Sequence, residues 1–140
     1  MIHSLDIAHR DVKPDNVLLN LNDEPSCILI DYNISKKANS YTKDYEGESK
    51  FSCNYLTHIA TPNSQAPELL KEGYYTEAVD MWGVGLIMYA LLSGYKLRWD
   101  EDLIDEQVDE IDHLSETGKD LLKSLLSFNP ENRPTAEEFL

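Results

Sequence analysis

Apolar positions along the chain come as several short runs and one long one, and their spacing divides it into elements. The opening octet "MIHSLDIA" reads as the end of a helix leading into a loop. Two short apolar runs, "NVLLN" and "SCILID", follow on either side of "LNDEPS". Asn, Asp, Pro and Ser favour turns, because they preset φ or bond their own backbone, so this spacing predicts a two-stranded hairpin. Residues 36–58 are polar, without period, and rich in Ser, Thr, Tyr and Lys, which predicts a mobile connection.

The long run, "YYTEAVDMWGVGLIMYALLSGY", predicts a helix with Thr76 as its N-cap and Gly94 as its C-terminal stop. Between Val79 and Leu92 the sole charge is Asp80, so this helix is apolar all round and is expected in the middle of the domain. A carboxylate buried there without a partner would cost several kcal/mol. Asp80 therefore needs dedicated donors, and the backbone amides of the loop at residues 9–16 are the expected ones. Further on, "SETGKDLLKSLLSF" places Leu121, Leu122, Leu125 and Leu126 on one helical face. Asn129-Pro130 ends that helix, and Thr135 with Glu138 forms a capping box for one more. No internal repeat and no linker divides the chain.

Charge narrows the function classes. With 26 acidic residues against 12 basic, the net charge of −14 argues against nucleic acid or an anionic membrane surface as partner. Cys27 and Cys53 are too few for a disulfide scaffold and suit a reducing, cytoplasmic location. The longest apolar stretch, residues 81–92, is too short for a membrane segment. No basic-then-apolar secretory signal opens the sequence. Eight acidic residues and no basic one lie between Asp100 and Asp112, which reads as a solvated helix face. An EF-hand loop is rejected, because Asp105 stands where its sharp turn requires glycine.

Candidate chemistry concentrates in "HRDVKPDN", residues 9–16. Asp11 and Asn16 lie five residues apart, and the predicted hairpin folds Asp31 back beside them. Two carboxylates and an amide converging at a strand end suit Mg²⁺, which prefers oxygen and keeps one or two protein carboxylates plus substrate phosphates. Lys13 adds a positive charge able to hold a transferring phosphoryl group. No Cys/His spacing suggests zinc, and no serine sits in a nucleophile elbow.

This loop resembles the H-R-D-x-K-x-x-N catalytic loop of eukaryotic-type serine/threonine protein kinases. Later landmarks of that family follow in order. "IDYNISKK" resembles the D-F-G segment, and "ATPNSQAPE" resembles the end of the activation segment, with Ala66, Pro67 and Glu68 as A-P-E. "DMWGVG" resembles the start of the central helix of the C-terminal lobe, and "NPENRPTAEEFL" the end of that lobe, with Arg133 paired to Glu68. "ALLSGY" and "RPTAEEFL" are most similar to the calcium/calmodulin-dependent group. The implied fold is mainly α with a short β-hairpin, a kinase-like C-terminal lobe without the N-terminal lobe. Its implied parts are a catalytic loop at 9–16, an activation segment at 31–68 and helices over 76–140.

The resemblance also implies roles. ATP and Mg²⁺ would be the cofactors, and a protein Ser/Thr hydroxyl the acceptor. Asp11 would be the catalytic base, Asn16 and Asp31 the magnesium ligands, and Lys13 the residue steadying the γ-phosphate. Thr61 would pair with Asp11 and Lys13 where the acceptor is read. Arg10 implies activation by a phosphate, with Ser40, Thr42, Ser49, Ser52 and Thr57 as unranked acceptors, each otherwise an ordinary loop hydroxyl. Asp80 would hold the loop backbone, and His9 would be a packed structural histidine.

Departures from the family pattern qualify this. Tyr32 replaces Phe and adds a hydroxyl, while Asn33 replaces Gly and raises the cost of a positive φ. The region after Gly94 is abbreviated. No Gly-rich loop, V-A-I-K lysine or partner glutamate precedes residue 9, so half of the ATP pocket is not encoded. Positioning of reactants supplies roughly 7–11 kcal/mol of barrier reduction against about 10²–10⁴-fold from a general base, so this stretch alone is not expected to run the reaction. The alternative is a non-catalytic, pseudokinase-like binding or scaffold module that meets basic partners through the acidic run. Either way Trp82, Leu86 or Tyr89 is expected to be partly uncovered, unless an N-terminal lobe or a partner covers that apolar surface.

Overall fold

The computed structural model describes residues 2–21, 26–37, 51–53, 65–70, 73–94, 97–98 and 100–139. Its centre is α1, Ala78–Ser93. The Thr76 hydroxyl accepts from the Ala78 amide at 3.3 Å, one residue ahead of the N-cap position at Glu77. Gly94 closes the other end at φ 72°, a left-handed turn that glycine makes without a Cβ penalty.

Burial along α1 is uneven. Val79, Met81, Trp82 and Tyr89 are buried, whereas Leu86, Ile87 and Met88 are half-buried and Leu91 is 80% exposed. The expectation of a helix enclosed on every side thus holds for its first half and fails for its second. Of the three side chains expected to be partly uncovered, Leu86 is so, while Trp82 and Tyr89 are enclosed.

Two shorter helices cover the enclosed side: α2, Ile104–Asp109, and α3, Glu116–Leu125. Ser115 caps α3 by accepting from the Gly118 amide at 3.2 Å. Leu122 and Leu126 are buried in one core cluster with Trp82, Val108 and Ile104, Leu125 is buried beside Gly85, and Leu121 is half-buried. The acidic run behaves as a solvated face: Ile104, Gln107, Val108 and Ile111 point inward and the carboxylates between them stay exposed. Asn129 then caps a 3₁₀ turn at Pro130–Asn132. The Thr135–Glu138 box is present, but it closes a turn over residues 136–138 and not a longer helix.

Among the described residues strands appear as three antiparallel pairs, not as the single hairpin expected. The expected hairpin joins β2, Val17–Asn20, to β3, Ser26–Leu29, in the register Val17↔Leu29. In addition β1, Ile7–Ala8, pairs with β4, Lys36–Lys37. Likewise β5, Phe51–Cys53, pairs with β6, Gly73–Tyr75. Two- and three-residue strands are too short to carry a period, and their partners are remote in sequence. The octet read as a helix end is a 3₁₀ turn, His3–Leu5, followed by Asp6 at φ 57° and then β1. A left-handed residue stops a helix after one turn, and eight positions give it no periodic signal.

Candidate active site

The loop at residues 9–16 rests on the first turns of α1, where Asp80 and Gly83 lie three residues apart and so share a face. Asp80 accepts from the His9 amide on Oδ2 and from the Arg10 amide on Oδ1, both at 2.7 Å. Its Oδ2 also accepts from His3 Nε2 at 2.8 Å. At Gly83 a Cβ would come within 2.6 Å of the Val12 carbonyl oxygen and 2.7 Å of its Cβ. The loop backbone is therefore bound at one helix position and admitted at the next by the missing side chain.

His9 is fully buried with both ring nitrogens engaged: Nε2 donates to the Ile30 carbonyl at 2.9 Å, and Nδ1 accepts from the Asp11 amide at 3.3 Å. This fixes one neutral tautomer and leaves no lone pair for a metal. Tyr32 lays its ring edge-on to His9 at 4.8 Å and is itself 46% exposed.

Around Asp11 the polar groups close up. Lys13 Nζ lies 2.7 Å from Oδ2, and Asn16 Nδ2 donates to the same oxygen at 2.9 Å and to the Asp11 carbonyl at 2.8 Å. The other oxygen, Oδ1, is buried and has no hydrogen-bond partner among the described residues. Two donations from Nδ2 also fix the Asn16 amide, because the flipped form would set its one oxygen against two others, the Asp11 carbonyl and Oδ2. Asn16 Oδ1 therefore faces away from Asp11.

Asn16 ends a 3₁₀ turn, Pro14–Asn16, immediately before β2, and its carbonyl accepts from the Ile30 amide at 2.9 Å. The β2–β3 pairing thus brings residue 31 to the same end of the hairpin as Asn16. Asp31 is exposed, and its carboxylate takes the Asn33 amide at 3.4 Å. Asp11, Lys13 and Asn16 are in direct contact, with Asp31 adjacent through the hairpin. The positive φ expected to strain Asn33 lies instead at Asp31, φ 64°, and Arg10 has φ 69°. Aspartate is among the few residues that tolerate this region.

Arg10 donates from Nε to the Ile34 carbonyl at 2.6 Å and from Nη1 to the Tyr75 hydroxyl at 3.0 Å. Farther off, Arg133 forms a bidentate pair with Glu68 at 2.6 and 2.9 Å, donates to the Ala78 carbonyl at 2.9 Å, and stacks over Trp82. Thr61, Ser40, Thr42, Ser49 and Thr57 lie outside the described residues, as does the side chain of Ser52. His3, Gly83 and Tyr75 were missed from sequence. Gly83 and Tyr75 meet the loop, and His3 meets Asp80, across more than sixty residues, and only Gly83, inside an otherwise unbroken apolar helix, carried a local hint.

A magnesium–phosphate ligand fits this donor set. Asn16 Oδ1 and the Asp31 carboxylate are both oxygen donors, and Mg²⁺ binds through one or two such groups plus phosphates and water. Among the described residues no three His, Cys, Asp or Glu side chains gather as a metal cage.

Comparison with known proteins identifies the family. A family profile described as "Protein kinase domain" matches residues 1–140. The chain is 34% identical over 150 residues to calcium/calmodulin-dependent protein kinase type II of Caenorhabditis elegans, covering 99% of this chain and 19% of that protein. Against the Caenorhabditis briggsae protein of the same name it is 33% identical, covering 26% of that protein. Against a probable myosin light chain kinase of Dictyostelium discoideum it is 36% identical over 151 residues, covering 40% of that protein. The chain thus spans between 19% and 40% of the length of these curated relatives. This chain belongs to the protein kinase domain family, of the eukaryotic serine/threonine type, with relatives in the calcium/calmodulin-dependent group.

Proposed function

We propose that residues 1–140 are the C-terminal part of a protein kinase domain that moves the γ-phosphoryl group of ATP to a protein Ser/Thr hydroxyl. The catalytic loop is 9–16, the activation segment 31–68 and the supporting helices 76–140. One observation carries the reading: Asp11 has one oxygen clamped by Lys13 and Asn16 and the other buried without a partner among the described residues. A buried unpartnered acceptor is costly, and such groups persist where a ligand supplies the missing donor.

In this reading Oδ1 accepts the hydrogen bond of the incoming hydroxyl and aims its oxygen at the phosphorus. The clamp on Oδ2 keeps the carboxylate from turning away. General-base assistance of this kind contributes about 10²–10⁴-fold. Lys13, already 2.7 Å from Asp11, neutralises charge on the transferring group. Asn16 Oδ1 and Asp31 would hold Mg²⁺ on the nucleotide, which when bound supplies the phosphoryl group and screens its charge. Thr61 is proposed to pair with Asp11 and Lys13 beside the acceptor. Arg10 keeps one edge of its guanidinium on Ile34 and Tyr75, and its other donors are the ones that would meet an activating phosphate.

The test is Asp11→Asn in the protein expressed at its full native length. Phosphoryl transfer to a Ser/Thr peptide should fall by about 10²–10⁴-fold with ATP affinity unchanged. Undiminished turnover would sink the assignment of Asp11. A wild-type protein that transfers no phosphate would leave the non-catalytic binding module as the reading to pursue.

A further inference from the structure

We propose that Asn33 is a further oxygen ligand at the metal–phosphate site, joining Asn16 and Asp31; this rests on the function proposed above. Asparagine stands here where the family pattern has glycine. The usual local reasons for asparagine in a turn are a left-handed φ or a side-chain bond to nearby backbone. Neither applies. The left-handed residues among those described are Asp6, Arg10, Asp31 and Gly94, and the Asn33 carboxamide makes no hydrogen bond among the described residues. Asn33 is exposed next to a proposed metal ligand, with its side-chain oxygen uncommitted.

Position and rigidity both favour ligation. The Asn33 amide donates to Asp31 Oδ1 at 3.4 Å, which holds the two residues against each other and leaves Asp31 Oδ2 for a cation. An aspartate and an asparagine two residues apart match the first two ligand positions of calcium-binding loops, where alternate side chains turn their oxygens to one ion. The backbone around Asn33 is fixed at several points. The Tyr32 ring is edge-on to His9 at 4.8 Å, the Tyr32 carbonyl accepts from the Ser35 amide at 3.0 Å, and the Ile34 carbonyl accepts from Arg10 Nε at 2.6 Å. Groups held in place before a ligand arrives lose little freedom on binding it. Asn16, Asp31 and Asn33 together offer one carboxylate and two carboxamides, an all-oxygen set with a single negative charge that still leaves room for phosphate and water.

The test reads Mn²⁺ binding by electron paramagnetic resonance, in the full-length protein with a non-hydrolysable ATP analogue. Asn33→Ala should weaken Mn²⁺ binding about tenfold, the scale on which loss of a side chain serving a metal site is felt. Asn33→Asp keeps an oxygen at the same reach and adds charge, so it should bind Mn²⁺ at least as tightly as the parent. A merely structural asparagine would not give this order, because both replacements would then act alike. Asn33→Gly removes the carboxamide as well and takes the place of alanine if that variant does not fold. Parental affinity in the alanine variant, or weakening in the aspartate variant, would overturn the proposal, while loss of binding in Asp31→Ala would leave the functional reading standing. If Asp31→Ala binds Mn²⁺ like the parent, or the parent binds none with the analogue, that reading falls and the proposal falls with it.

Discussion

At the residue scale the loop is specified by what α1 offers it. Asp80 supplies acceptors for two successive amides, and three residues on Gly83 supplies empty space where the Val12 backbone passes. A methyl group at 83 would meet backbone at 2.6 Å, which a side-chain rotation cannot relieve. Gly83→Ala is therefore expected to cost about 1–3 kcal/mol in urea unfolding, despite alanine's better helix propensity. It should also slow phosphoryl transfer by shifting the loop. A variant as stable as the parent would show that the helix and loop separate freely at this point. The need of Asp80 for backbone donors was legible in the sequence, because a lone charge in an apolar helix must be satisfied. That His3 completes the carboxylate was not, because one histidine in a short octet has no pattern to reveal its partner.

Among elements, caps and short pairings do the local work, and one cap titrates. Glu138 closes the box at Thr135, and the Thr135 amide first, then its hydroxyl, holds the Glu138 carboxyl below its ordinary 4.5. A carboxyl so lowered adds stability that is present above 4.5 and is lost as the pH falls through its folded value. Carbon-detected NMR titration should find the Glu138 midpoint below 4.5, and Thr135→Ala should move it only part of the way back, because the backbone amide still donates. An unshifted midpoint in the parent would mean that the box does not form in solution. Both partners were legible from their three-residue spacing. The β1–β4 and β5–β6 pairs were not, since their register comes from where the loop and α1 hold the chain. The α1 N-terminus lies between these cases: Thr76, the N-cap expected from the sequence, accepts from the Ala78 amide, but the N-cap position falls one residue later, at Glu77.

For the molecule as a whole, the decisive feature is the open side of α1. A groove of about 550 Å³ runs along it, lined by Val12, Val17, Leu29, Val84, Ile87 and Leu91 among others, and Leu91 is 80% exposed. Apolar surface gathered in one concavity favours association. The isolated 140-residue polypeptide should therefore bind a hydrophobic dye and sediment as mixed oligomers, and Ile87→Glu with Leu91→Glu should suppress both. A clean monomer with two-state unfolding in dilute buffer would contradict this. Among the described residues no helix is long and apolar enough to cross a membrane. By itself the sequence determined which segments form the long helices and the β2–β3 hairpin, and which loop carries Asp11, Lys13 and Asn16, because period, caps and motif spacing act over a few residues. Only the tertiary structure decided that half of α1 stays uncovered, that the left-handed residues are Arg10 and Asp31, and that His3 finds Asp80. Those outcomes depend on contacts between segments more than sixty residues apart, where burial and charge must be satisfied jointly and no local pattern records the partner.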